Sequence, residues 1–284
     1  MTGSSDGVEH FNNTDPVLLS EAVHDVLGIN YEEFKALIKI GAIYVNNHRQ
    51  SKDKWILETN SVFRVHTKPR RFSCDYDWKS RVVFQNESFL VLNKPSGLPS
   101  HPAVDNALEN ALTQTSLVLQ VPLYVTHRLD TLTSGLIVYG KKKQFVKDFN
   151  IQMLERKVQK KYVAIIEGSQ NFPKHLTHYM DTSPGTPKRL SAEPREDWEI
   201  CKLEILDQNE VSPGKRWVKI NLLTGRTHQI RSQMSFLGAP ILGDKLYGAK
   251  TEYQKNAIAL RSYQIEFVFE GKPVKFALEE TFIL

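Results

Sequence analysis

The chain has almost no cysteine: Cys74 and Cys201 are the only two among 284 residues, and they lie far apart. Neither a disulfide framework nor a cysteine-based zinc site can be built from them. Long apolar runs are missing too. No window reaches the roughly 18 to 20 apolar residues that span a bilayer. The opening "MTGSSDGVEHFNNTD" is polar, without an apolar core of signal-peptide length. The expectation is a cytoplasmic protein with no membrane partner, so the glycosylation-like triplets at Asn12 and Asn86 are set aside. Charge of one sign is also scarce: 37 Lys and Arg face 32 acids, a formal +5 with a pI near 9.0. Such an excess allows one basic face for a polyanion and no more. What is present is ordinary globular material, 40% hydrophobic and 24% charged, enough for one large domain with a small companion.

Polarity and lack of pattern mark residues 1–14 as a disordered tail. A small unit follows over 15–68. "PVLLSEAVHDVLG" repeats apolar residues at helical spacing and stops at Gly28, and "YEEFKALIKIG" does the same to Gly41. Strands are expected at "AIYVNN" and "SVFRVHTK". Lys35, Lys39, Arg49 and Lys52 suit an RNA-binding module. The same pattern equally suits a small α/β domain with a solvated surface.

Residues 69–79 are polar, basic and proline-containing, a linker by composition. The larger domain, 80–284, opens with a hairpin, "RVVF" and "FLVLNK" around Gln85-Asn86-Glu87. Helices are expected over 107–119 and 142–158, and in "THQIRSQMSFLG" with Thr227 as N-cap and Gly238 as stop. Strands are expected at "GLIVYG", "KYVAIIEG", "EICKLEIL", "RWVKINLL", "IALRSYQIEFVF" and "VKFAL", and 168–198 is expected to be a long loop. Strand runs mixed with separate helices give an α+β fold with a mixed, largely antiparallel sheet.

Two patterns point away from chemistry. "GLIVYGK" (Gly135–Lys141) fits the first part of a phosphate-binding P-loop, but Lys142 replaces the required Ser or Thr. Its Leu-Ile-Val-Tyr centre is a buried strand, so no nucleotide cofactor is expected. His175 and His178 are three apart with no third ligand nearby, and the expectation is loop histidines and no metal. Two others point towards RNA. "RKVQKKY" sets Arg156, Lys157, Lys160 and Lys161 before Tyr162, and "TGRTHQIR" sets Arg226, His228 and Arg231 around a helix start. A helix N-terminus beside arginine suits a phosphate, and a tyrosine beside cations can stack on an unpaired base.

Taken in order, "NKPSGLPSHP", "HRLDTLTSGLIVYGK", "KKYVAIIEG" and "LLTGRTHQIRSQMSFLGAPILGDKLYG" closely resemble the motifs of RluA-type RNA pseudouridine synthases, over about residues 80 to 270. "ALIKIGAIYVNN" is similar to the small α-L RNA-binding module that many members carry. The resemblance implies an isomerase that needs no cofactor and acts on uridines in RNA, ribosomal RNA ahead of transfer RNA; the rival is a member that kept the fold and binds RNA without catalysis, and a monomer is the default expectation. It implies Asp130 as the catalytic residue, Arg231 as its charge partner and Tyr162 as the surface for the flipped uracil. Arg128 would fill the gap that base leaves, and Arg226 and Lys161 would hold phosphates. One departure stands out: Arg261, in "ALRS", occupies the place of the family's usual histidine.

Overall fold

The computed structural model describes residues 7–280 and 282. They divide into two units: residues to Tyr76 with His101–Leu117, and Asp77–Ser100 with Val118 onward.

In the first unit, the helical spacing read from the sequence forms the helices Leu19–Leu27 and Tyr31–Ile40. Gly28 and Gly41 take left-handed conformations at their C-termini, and Asn30 and Glu33 close a reciprocal capping box on the second. Leu19, Val23, Phe34 and Ile38 bury their side chains against Ile43, Leu57 and Val65. The antiparallel sheet runs in the order Val8–Asn12, Val62–His66, Ile43–Val45, His48–Arg49. The expected tail is therefore corrected: Val8–Asn12 pairs with Val62–His66, because Phe11 reaches Phe63 and the core. Residues 1–6 of that expectation lie outside the described residues.

The expected linker and the start of the larger domain are redrawn too. Arg70 makes a bidentate pair with Asp105 at 2.7 and 2.9 Å, and Arg71 pairs with Glu109 at 2.7 Å. Asn106 donates to the Arg70 carbonyl, and the Ala107 amide donates to Ile40. These contacts place 101–117 in the first unit. Composition could not show this, since the partners are more than 30 residues apart in sequence. Helix Ala111–Leu119 starts later than expected, after Asn110, whose side chain accepts from the Thr113 amide.

The second unit is built on one 11-stranded sheet among the described residues. Its main path is Leu190–Ser191, His175–Met180, Glu199–Ser212, Lys215–Leu222, Gln159–Glu167, Leu260–Phe269, Ser134–Gly140, Phe89–Lys94, Val82–Gln85. All the pairings are antiparallel except the short one between Ser134–Gly140 and Leu260–Phe269. The α+β expectation holds, and "GLIVYG" is a buried strand rather than a phosphate loop. Gly135 has φ +109°, and a Cβ there would lie 2.1 Å from the Ser262 carbonyl oxygen. Only glycine permits this strand crossing. On one face, Phe145 and Phe149 of helix Lys143–Leu154 pack among Phe89, Phe267, Phe269 and Phe276.

Residues 168–198 are not one long loop. His175–Met180 pairs along Glu199–Ser212, and Leu190–Ser191 returns against it. The alternation Leu176, His178, Met180 is buried, a period-2 signal hidden by the polar residues between. His178 is therefore a strand residue bonded to Gln233 at 2.9 Å, while His175 is exposed.

Candidate active site

Asp130 lies in the turn that precedes strand Ser134–Gly140, and nearly every residue around it is tied down. The Thr126 hydroxyl donates to the Val138 carbonyl, and the Val138 amide donates to His127 Nε2 at 3.1 Å. Burial, reinforced by the Lys160 charge, pulls the His127 imidazole down to about 3, so it stays neutral and keeps that acceptor. Ser100 holds Leu129 from both sides, accepting from its amide at 3.0 Å and donating to its carbonyl at 2.7 Å. Lys94 is wholly buried and donates to the carbonyls of Pro95, Leu98 and Thr131. Burial pulls its ammonium down to about 7, a shift opposed by the charge of Asp130. "NKPSGLPS" is thus a clamp that fixes the segment on both sides of Asp130.

Helix Gln229–Phe236 brings Arg231 to the carboxylate, with Arg231 Nη1 at 3.3 Å from Asp130 Oδ2. The same guanidinium holds the fully buried Asp244 in a fork, at 2.7 and 2.9 Å, and lies over the Tyr247 ring at 5.0 Å. Burial alone would lower the Arg231 pKa; the Asp244 bonds outweigh it and raise it. Arg231 is therefore fixed by Asp244, and it offers its remaining edge to Asp130. Asp130 keeps 16% of its side chain exposed, open to a ligand.

The helix does not begin at Thr227. His228 precedes its first turn in a left-handed conformation, φ +58°, and makes no side-chain cap. That twist turns the imidazole inward. Nδ1 lies 3.1 Å from the Tyr247 hydroxyl, and Nε2 lies 3.7 Å from Asp130 Oδ2. Tyr247 also accepts from the Lys188 amide at 3.0 Å, which fixes its hydroxyl beside the imidazole. Burial lowers the His228 pKa despite the nearby Asp130 charge, and the ring stands between the Tyr247 hydroxyl and the carboxylate.

Asp130, Arg128, Tyr162, Lys160, Arg226 and Arg231 line one pocket, with Leu129, Leu222, Ile230 and Leu260 as its apolar wall. Tyr162 is 6% exposed; burial pushes its hydroxyl far above the usual range, against a hydrogen bond with Ser262. Arg226 forms an ion pair with Glu199 at the rim. Of the six sequence-derived residues, five meet here and Lys161 does not. Side chains alternate along strand Gln159–Glu167, so Lys160 and Tyr162 share the pocket face and Lys161 projects from the other. The correction is Lys160, buried and pulled down to about 8 by desolvation. Period-2 counting back from Tyr162 puts Lys160 on the tyrosine's face, and only the fold shows that this face lines the pocket. Asp244 and Tyr247 gave no signal beyond membership of "GDKLYG". Arg261 is not among the residues lining the pocket; burial lowers its pKa, and its Nε has no hydrogen-bond partner among the described residues.

Residues 88–236 match the family described as RNA pseudouridylate synthase. A protein of Oryza sativa subsp. japonica named "RNA pseudouridine synthase 6, chloroplastic" is 35% identical over 215 residues, 67% of this chain and 45% of that protein. An "Uncharacterized RNA pseudouridine synthase" of Haemophilus influenzae is 32% identical over 195 residues, 66% of this chain and 81% of that one. The chain spans about half the length, 45%, of the two chloroplastic relatives it matches. Among solved structures, "Human RNA Pseudouridylate Synthase Domain Containing 4" shares the fold, with TM-score 0.57 and 20% identity over 71% of this chain and 89% of that one.

Proposed function

Because the chain belongs to the RNA pseudouridylate synthase family, we propose that it isomerises specific uridines in structured RNA to pseudouridine, with Asp130 as the catalytic residue. The observation that carries this is the carboxylate itself: partly exposed, held by Arg231 and facing Tyr162 across one pocket. In the reaction the bond between uracil N1 and ribose C1′ breaks and a bond from C5 to C1′ forms. A proton leaves C5 and one is gained at N1. Nothing is oxidised or transferred, so the chemistry requires no cofactor. A stacked target must first be flipped out, at a cost of a few kcal/mol.

Arg231 supplies the positive charge beside the Asp130 carboxylate, Tyr162 stacks on the extruded base, and Arg128 at the mouth replaces it in the RNA. Arg226, released from Glu199, holds a phosphate. Residues 15–68 add RNA affinity, and their likeness to the α-L module favours ribosomal over transfer RNA. The reading also includes a monomer acting in the cytoplasm.

The test is to incubate the protein with uridine-labelled RNA, without ATP or metal, and measure pseudouridine. Asp130→Asn keeps the side-chain shape and removes its charge. It is expected to abolish turnover while RNA affinity stays within about tenfold. Residual turnover by purified Asp130→Asn would remove this residue from the mechanism. Tyr162→Phe should retain most activity, whereas Tyr162→Ala should lose about 1 to 3 kcal/mol of stacking. Equal rates for the two variants would end the stacking role. Pseudouridine mapping of ribosomal and transfer RNA with and without the gene identifies the substrate.

A further inference from the structure

Leu154 ends the helix Lys143–Leu154 with 84% of its surface exposed, the most exposed of the large hydrophobic residues described. A single exposed leucine means little. This one lines a second pocket with Leu223 and Arg156, and that pocket shares Lys160, Gly225 and Arg226 with the Asp130 pocket. Three cations thus border an apolar floor directly beside the candidate active site. Arg156 stands in a left-handed conformation, φ +57°, and like Lys160 it has no side-chain hydrogen bond or ion pair among the described residues.

Gly225 lines both pockets. A Cβ there would lie 3.1 Å from Lys160 Nζ. The ammonium therefore rests against bare backbone where the two pockets meet, with no hydrogen-bond or ion-pair partner among the described residues. Neighbouring bases in RNA are joined by one phosphate. A second pocket, separated from the first by buried cationic charge, has the layout that two unstacked neighbouring nucleotides require.

We propose that the Leu154–Leu223 pocket is a subsite for the base of the nucleotide next to the target uridine, with Lys160 holding the phosphate between them. The proposal rests on the pseudouridine synthase reading and adds a determinant of sequence context to it.

The probes are three labelled five-nucleotide RNAs: one with a single central uridine, and two lacking the base on its 5′ or its 3′ side. Affinity is measured by fluorescence anisotropy at several salt concentrations, for the full chain and for Leu154→Asp, Gly225→Ala and Lys160→Met. One of the two abasic RNAs should bind the unaltered protein about tenfold more weakly. Leu154→Asp should weaken the intact RNA by a similar factor and cancel the difference between it and that abasic RNA, as coupled changes do. Lys160→Met should flatten the salt dependence by about 0.7 in log-log slope, one phosphate on a single strand. Gly225→Ala, which pushes on the ammonium without removing it, should fall between Lys160→Met and the unaltered protein. Losses that simply add between Leu154→Asp and both abasic RNAs would overturn the subsite while leaving the RNA reading in place. Failure of the unaltered protein to bind any of the three RNAs would overturn both.

Discussion

Arg49 in the first unit and Arg128 in the second are both cations that the sequence offers to a polyanion, and they end in opposite situations. Arg49 donates to the carbonyls of Gly41 and Ala103 and to the Tyr44 hydroxyl, so its guanidinium is committed to holding its own unit together. Arg70 and Arg71 are committed likewise, to Asp105 and Glu109. In the second unit Arg128 is exposed at the pocket mouth, and Lys160, though buried, has no partner among the described residues. A cation already committed to acceptors within its own unit is less available to a polyanion than one without them. Counting Lys and Arg in the sequence could not make that distinction. It grouped Arg49, which the fold commits to its own unit, with exposed lysines, and it singled out Lys161 where the strand turns Lys160 into the pocket.

The comparison can be broken in four places. Arg231→Met should have the largest effect. It strips one buried and one partly buried carboxylate of their shared cation, costing about 3 to 5 kcal/mol of stability and abolishing turnover. Adding Asp244→Asn should restore much of that stability and none of the turnover. If the double variant unfolds at the same denaturant concentration as the single one, Asp244 is not what Arg231 neutralises.

Arg49→Met should come next, with about 1.5 to 3 kcal/mol lost from unpaired acceptors and no change in the salt dependence of RNA binding. A flatter salt slope with normal stability would return Arg49 to the RNA surface. Lys39→Gln and Lys52→Gln should behave in the converse way. Stability stays within about 0.5 kcal/mol, and each variant flattens the slope by about 0.7 to 0.9 if it contacts phosphate. Identical slopes for both variants and the unaltered chain would make the first unit something other than an RNA anchor.

The smallest effect is in pH. Lys160 is held down to about 8 in the free protein, and an RNA phosphate would favour its charged form. Its contribution to affinity is therefore full below about pH 8 and fades as pH rises through it. Titrating RNA affinity from pH 7 to 9 should show this decline, and Lys160→Met should flatten it. Equal declines in both proteins would assign the pH dependence elsewhere.

Much of the fold was legible. The stop at Gly41, the strand "GLIVYG" and the antiparallel character of the sheet all follow from local pattern, because period and turn chemistry are properties of neighbouring residues. Three of the failures share one cause. Strand Val8–Asn12, strand His175–Met180 and the membership of 101–117 all depend on partners distant in sequence. Asp130 and Arg231 were legible because their motifs mark them, whereas Asp244 and Tyr247, which set the orientation of Arg231 and His228, had no pattern of their own.

The sequence by itself determined the periodic elements, the strand that cannot be a phosphate loop, and the aspartate around which the motifs gather. Those depend on spacing and residue type, which the chain carries wherever it goes. Tertiary structure alone decided which carboxylate Arg231 grips with two bonds and which it leaves open, at 0% and 16% exposure. It also decided that Lys160 rather than Lys161 faces the pocket. Both outcomes turn on the direction a side chain takes when distant strands meet, and burial then makes the unpaired charge the one available to a ligand.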